Sequence, residues 1–352
     1  MNKRAKIISQ TFSGWRIFIA VFIGMSVSIY LILDDFSFTL YNTIDWTLHS
    51  LLFLLLAIIF EAIRDIAYMY RIRLMTDGEI KWRQSFQVIM LWEFASALTP
   101  SVVGGSAVAL YIVNKEINNP GKATAIVMIT ALLDELFYVI MVPIIFLFIG
   151  TNELFINTEF NLFKLGSFPT QTIFFIGYSF ILLLTSIISF AIFYRPKLFK
   201  SLLNSIFSIS ILKRWKERAN KTGEEIIITS EQMKGKKLVF WIKAYASTLI
   251  SWTARFAVIN MLILVLKGDG NQIIIFARQL VMWVILLISP TPGGSGVAEY
   301  MLPKFLGEYM GAFGNEIALS WRLLSYYSYL FIGSIVLPIW LQRVYKIKKK
   351  DA

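Results

Sequence analysis

Runs of apolar residues long enough to cross a bilayer recur along this chain, and they restrict what it can fold into. Ile17 to Leu33, 47–70, 123–149, 169–194, 238–266 and 316–342 each come close to or exceed the roughly 20 residues that a membrane-spanning helix needs. In hydrocarbon the chain must satisfy its own backbone polar groups, so these runs are read as helices. The expected fold class is therefore an all-α polytopic membrane protein, a single integral domain over residues 1–352. Composition agrees: 57% of the residues are hydrophobic and only 16% are charged, too few to cover a soluble globule of this length. There is no cysteine, which excludes disulfides and thiolate metal sites. The one histidine, His49, sits near a span end and reads as interfacial.

The formal charge of +12 would suit nucleic-acid binding, but its positions argue otherwise. Lys3, Arg4, Lys6 and Arg16 precede the first run. That run ends in Asp34-Asp35 with no small-residue cleavage pattern, so it reads as an uncleaved span rather than a signal peptide. The segment 195–237 carries 11 Lys/Arg against four Glu and mixes apolar with basic residues at roughly helical spacing over 198–218. It is expected to lie on the membrane surface against anionic lipid. If 84–113 and 271–306 each enter and leave on one side, about 26 Lys/Arg face the cytoplasm, and only Lys164, Lys267 and Lys304 face outward. A single crossing at 84–113 would put the basic 195–237 segment outside. Parity thus predicts re-entrant or full helical hairpins in addition to about six full spans. Both termini would be cytoplasmic, in the inner membrane.

The two interrupted segments share a motif. Thr291-Pro292-Gly293-Gly294-Ser295-Gly296-Val297-Ala298-Glu299-Tyr300 matches Thr99-Pro100 and Gly104-Gly105-Ser106-Ala107-Val108-Ala109-Leu110-Tyr111, both reading TP…GGS-x-VA-x-Y across a short gap. Residues 47–149 and 238–342 each run span, broken hairpin, span, which predicts an inverted-topology repeat. Arg64 lies 35 residues before Thr99 and Arg255 lies 36 before Thr291. Asp134-Glu135 falls near Arg322 in register.

These breaks and charges are the candidate site. Glycine pairs permit a sharp turn, and Ser106 and Ser295 are expected to cap the returning arms. A helix start at membrane depth, with its free N–H groups, attracts an anion such as phosphate. Arg64, Arg255, Arg278 and Arg322 lie within spans or hairpins, where a charge costs about 2.5–3.5 kcal/mol on insertion scales. Arginine suits bidentate phosphate binding. Glu61 shares a face with Arg64 and supports a structural pairing there. Glu299, Glu135, Asp134 and Glu93 are the intramembrane acids, expected to balance the arginines, carry a proton or meet a cationic head group. Most Trp, Phe and Tyr are assigned to interfacial belts.

Pro292 to Glu299 resembles the PGG-x-G-x-x-E motif of the lysylphosphatidylglycerol synthase transmembrane-region family, also called flippase-like or UPF0104. Thr99-Pro100 through Gly104-Gly105 is similar to its first-repeat motif, Leu133-Asp134-Glu135 to its mid-chain acidic motif, and Trp321-Arg322-Leu323-Leu324 to its last span. Two positions depart: Leu110-Tyr111 stands where the family usually has an arginine after the first glycine pair, and Leu136 where another is common. The resemblance implies lipid translocation. Lysyl transfer to lipid is not expected, because no soluble aminoacyltransferase domain is seen. The reading is thus a lipid translocase. Arg255, Arg278 and Arg322 would hold the phosphate of a phospholipid or lipid-linked substrate, the Gly293–Ser295 turn would supply N–H groups, and no metal or cofactor would take part. The rivals are a membrane-embedded transferase, against which the absence of a metal cluster or nucleotide loop counts, and a non-transporting assembly factor of the envelope.

Overall fold

In the computed structural model the described residues are 46–99, 101–156, 159–161, 167–209, 213–266, 270–287, 291 and 293–347. The expected first span (17–33), Pro100, Pro292, Lys164 and Lys267 lie outside them. These residues are helical almost throughout. Helix α1 (Leu48–Met75) is followed by α2 (Trp82–Leu98), α3 (Ser101–Ile117) and α4 (Pro120–Ile149). A helical turn and a two-stranded antiparallel ribbon, β1 (Glu159–Asn161) with β2 (Ser167–Pro169), lead to α5 (Thr170–Ser189). After a π-turn come helices α6 (Pro196–Ile206) and α7 (Lys216–Lys234) of the basic segment 195–237, called the basic helices below. The second half holds α8 (Leu238–Val265), α9 (Gln272–Leu286), α10 (Val297–Met310), α11 (Gly314–Arg322) and α12 (Ser328–Ile347), the last two joined by a π-turn at Leu323–Tyr327.

Four helical stretches are long and apolar enough to cross a membrane: Pro120–Ile149, Thr170–Tyr194, Leu238–Val265 and Val297–Tyr345. Helix α1 has the length, 28 residues, but carries Glu61, Arg64 and Asp65 in its middle. The outward faces of these helices are apolar, as at Leu55, Leu147, Phe148, Phe180 and Phe331, and suit contact with acyl chains.

The most extensive helix pairing is α1 on α8. The two run antiparallel: Ser251 donates to the Arg64 carbonyl at 3.2 Å, and Arg71 to the Thr248 hydroxyl at 2.8 Å. The α2–α3 and α9–α10 hairpins enter the bundle from opposite ends. The outer ends of α2 and α3 lie beside the basic helices, where Lys122 meets Glu79 at 2.5 Å and the Gly121 amide donates to Glu225 at 2.7 Å. The outer end of α9 lies at the other end, where Asn260 of α8 holds Gln272 at 2.9 Å. The arms of 17, 17, 15 and 14 residues measure about 21–26 Å at 1.5 Å per residue, short of a full hydrocarbon core. The first arm of the second hairpin ends at Leu286, with Leu287 as its C-cap.

The buried apolar side chains form two clusters, one toward each end. One holds Met75, Val88, Ile126, Leu133 and Trp340; the other holds Phe137, Ile145, Phe174, Ile259 and Leu302. Helix α4 passes from the first, ending at Leu133, to the second, starting at Phe137, so Asp134 and Glu135 fall at the junction. The run from α11 to α12 passes between the clusters at Arg322, between Trp321 and Tyr326. The charged residues therefore form a waist between two apolar halves.

Basic segment 195–237 forms surface helices. Leu198, Leu202 and Ile206 line one exposed face of α6, spaced as an interfacial helix requires.

Candidate functional site

A cavity of about 280 Å³ occupies the waist. Both hairpin tips reach it, through Ser96, Ala97 and Ser106 of the first and Gly293, Gly294 and Ala298 of the second. Tyr326, on the π-turn, joins the tips. Its hydroxyl donates to the Ala97 carbonyl at 3.0 Å, and its ring lies where a Cβ on Gly293 would come within 2.4 Å.

The second hinge forms as its glycines demand. Gly293, Gly294 and Gly296 have φ of +55°, +70° and +79°, a region that side-chain-bearing residues avoid. Gly296 precedes α10, and Glu299 accepts from its amide at 2.8 Å. The other Glu299 oxygen accepts from Arg322 Nε at 2.7 Å. Arg322 also donates to the Gly293 carbonyl at 3.2 Å and to Ser295 Oγ at 3.1 Å, while its guanidinium lies 3.9 Å from the centre of the Tyr326 ring. Arg322 thus ties the hinge to α11. Within the Gly293–Ser295 turn the Gly294 N–H donates to Thr291 O at 3.1 Å, and the amide that follows the turn, that of Gly296, donates to Glu299. Ser295 precedes the start of α10, where Gly296 holds the N-cap position, because the third glycine delays the helix.

The first hinge differs. Helix α2 ends at Leu98, with Thr99 extended at φ −111°, ψ 138° as a residue before proline prefers. Helix α3 begins at Ser101, so Gly104, Gly105 and Ser106 lie inside it and Ser106 does not cap it. Gly105 serves close packing: a Cβ there would stand 2.0 Å from Ser96 Oγ.

Arg64, Arg71, Arg255 and Arg322 converge on the waist with six carboxyl groups. Arg64, 1% exposed, pairs with Glu61 at 2.6 Å and Glu93 at 2.6 Å, lies 3.8 Å from Asp65, and donates to Tyr329 Oη at 2.5 Å. Glu93 lies between Arg64 and Arg255, the latter at 3.6 Å. Arg255 lies beside two indoles set edge to face, its guanidinium 4.8 Å from the Trp252 ring centre and 5.2 Å from that of Trp283, and its Nε has no hydrogen-bond partner among the described residues. Asp134 accepts from both terminal nitrogens of Arg71, at 2.7 and 2.9 Å, and from Trp252 Nε1 at 2.9 Å. Glu135 lines the cavity and is buried.

Two placements differ from the sequence reading. Arg278 does not line the cavity. It donates to Glu153 O at 2.7 Å and Phe305 O at 3.2 Å and pairs with Glu308 at 2.5 Å, fastening α10 at the end of the bundle away from the basic helices. Conversely, the sequence reading ends the second span at residue 70, but α1 continues to Met75 and buries Arg71. Four tryptophans, Trp92, Trp252, Trp283 and Trp321, line the cavity. The signal for Arg71 was its heptad spacing from Arg64, two turns along the same face.

The described residues contain no group of His, Cys, Asp and Glu arranged to hold a metal ion. Compared with known proteins, residues 16–333 match the family model described as the lysylphosphatidylglycerol synthase TM region. A UPF0104 membrane protein of Archaeoglobus fulgidus is 24% identical over 333 residues, covering 89% of this chain and 94% of that protein. No solved structure matches.

Proposed function

Because the chain belongs to the lysylphosphatidylglycerol synthase TM region family, we propose that it is a membrane lipid translocase, passing a phosphate-bearing head group through the charged waist while the acyl chains stay in lipid. The observation that carries this reading is Arg255. It is the cavity arginine whose carboxylate contact is loosest, at 3.6 Å, and that carboxylate is shared with Arg64. Among the described residues its Nε is unpartnered, and two indoles pack beside its guanidinium. A guanidinium held so can exchange a shared carboxylate for phosphate oxygens without rebuilding its surroundings.

Arg322 and Glu299 then act on the hinge rather than on the substrate. Glu135 and Asp134 balance charge or face an amine. Arg278 is left out of the phosphate site. The antiparallel α1–α8 pair and the hairpins entering from opposite ends support an inverted repeat of 47–149 and 238–342, in which one half rocks against the other. The basic helices would face the cytoplasm with both termini, in the inner membrane.

The test is reconstitution into liposomes with labelled lipids of differing head groups. Wild-type protein should carry at least one phosphate-containing lipid across, and Arg255→Gln should slow it by about tenfold or more, the loss of a charge-assisted hydrogen bond being about 1.5–3 kcal/mol. Crossing no faster than in protein-free vesicles refutes translocation. A change in the mass of a lipid would instead establish the transferase reading.

A further inference from the structure

Of the six waist carboxyl groups, five lie beside a guanidinium: Glu61, Asp65 and Glu93 by Arg64, Asp134 by Arg71 and Glu299 by Arg322. Glu135 is the sixth. It is only 7% exposed, and among the described residues it forms no ion pair and its Oε2 has no hydrogen-bond partner. Two hydroxyl groups of the same helix, on Thr130 and Tyr138, line the same cavity and are likewise buried without partners. The charged groups around the cavity on other helices are Arg71 of α1, Glu93 of α2, Arg255 of α8 and Arg322 of α11, each already in contact with an opposite charge; Asp134, the adjacent residue on α4, is held by Arg71.

An ionised carboxylate alone at this depth is costly, because nothing there replaces its hydration. It escapes that cost by taking a proton or a cation. We infer that Glu135 is a proton-binding site of the cavity, protonated while the cavity is empty and giving up its proton when a cationic group enters the waist. The carboxyl O–H bond breaks, the carboxylate pairs with the arriving cation, and the proton leaves to water at the open side of the cavity. One cation thus enters for each proton released. Proton binding at Glu135 is independent of the translocation proposed above; only the arriving cation depends on it.

Infrared titration of the purified protein tests this without any lipid substrate, because a protonated carboxyl group has its own C=O stretch. Wild-type protein should show such a band at acidic pH, and it should disappear as the pH is raised. Glu135→Gln should lose the band, and Asp65→Asn should keep it. Glutamine matches the protonated acid in shape and charge, and thermal unfolding checks that each variant folds. In unaltered protein, a heavier carbon isotope in the glutamate carboxyl groups should shift the band. A band that survives Glu135→Gln, that fails to shift with labelled glutamate, or that never appears overturns the assignment.

Discussion

Replacing Arg71 separates the two descriptions of that residue. As an interfacial cation at the end of a span it would contribute little, and a surface substitution changes stability by about 0.5 kcal/mol or less. The structure buries it to 3% exposure, with two hydrogen bonds to Asp134 at 2.7 and 2.9 Å and one to Thr248 at 2.8 Å. Arg71→Met strands Asp134, which keeps only Trp252 Nε1 as a donor other than Arg71. Breaking one side of a buried pair costs about 3–5 kcal/mol, whereas replacing both sides with apolar groups is often close to neutral. Arg71→Met and Asp134→Leu should each destabilise by about 3 kcal/mol or more, and the double variant by far less than their sum. The coupling should be about 2 kcal/mol or more, measured by reversible denaturant unfolding in detergent micelles. If Arg71→Met costs less than about 1 kcal/mol, or the two effects add, the waist does not hold Arg71 as described.

Three further outcomes are open to measurement. Gly293→Ala should lower the thermal unfolding midpoint, because φ of +55° costs a Cβ-bearing residue about 1–2 kcal/mol and the new methyl meets Tyr326 at 2.4 Å; adding Tyr326→Ala should recover the steric part but not the backbone part. Gly105→Val should destabilise by about 1–3 kcal/mol or more by forcing α3 from α2, since even a methyl meets Ser96 Oγ at 2.0 Å; an unchanged unfolding curve would contradict that packing. The chain has no cysteine, so single cysteines report sidedness without background. Lys216→Cys should react with an impermeant reagent only from the cytoplasm and Lys304→Cys only from outside, and reversed labelling would invert the proposed topology.

The long apolar helices were legible because nothing but burial in lipid explains runs of that length. The second hinge was legible because three glycines and two prolines interrupt such a run, and the structure turns there with φ positive at Gly293, Gly294 and Gly296. The first hinge was misread for a physical reason. Glycine serves either a turn or a close approach, and only the packing of Ser96 against Gly105 shows which. Arg71 was missed because basic residues at the end of a span usually mark the interface. Arg278 was assigned to the cavity because an arginine inside an apolar arm must find polar company, but the sequence does not say that this company is Glu153 O, Phe305 O and Glu308. Arg255 and Glu135 line the cavity. Their unequal pairing depends on contacts between helices far apart in the chain.

The pairing of the waist also bears on how the chain is made. Synthesis runs from the N-terminus, so each cation reaches the bilayer with, before or after its counter-charge. Arg64 arrives with Glu61 three residues ahead of it, Arg255 finds Glu93 already in place, and Arg322 finds Glu299. Arg71 alone of these must wait, 63 residues, for Asp134. Until α4 emerges from the ribosome, that guanidinium has to be sheltered at the lipid head groups or within the insertion machinery, and the nascent protein is at its most vulnerable there.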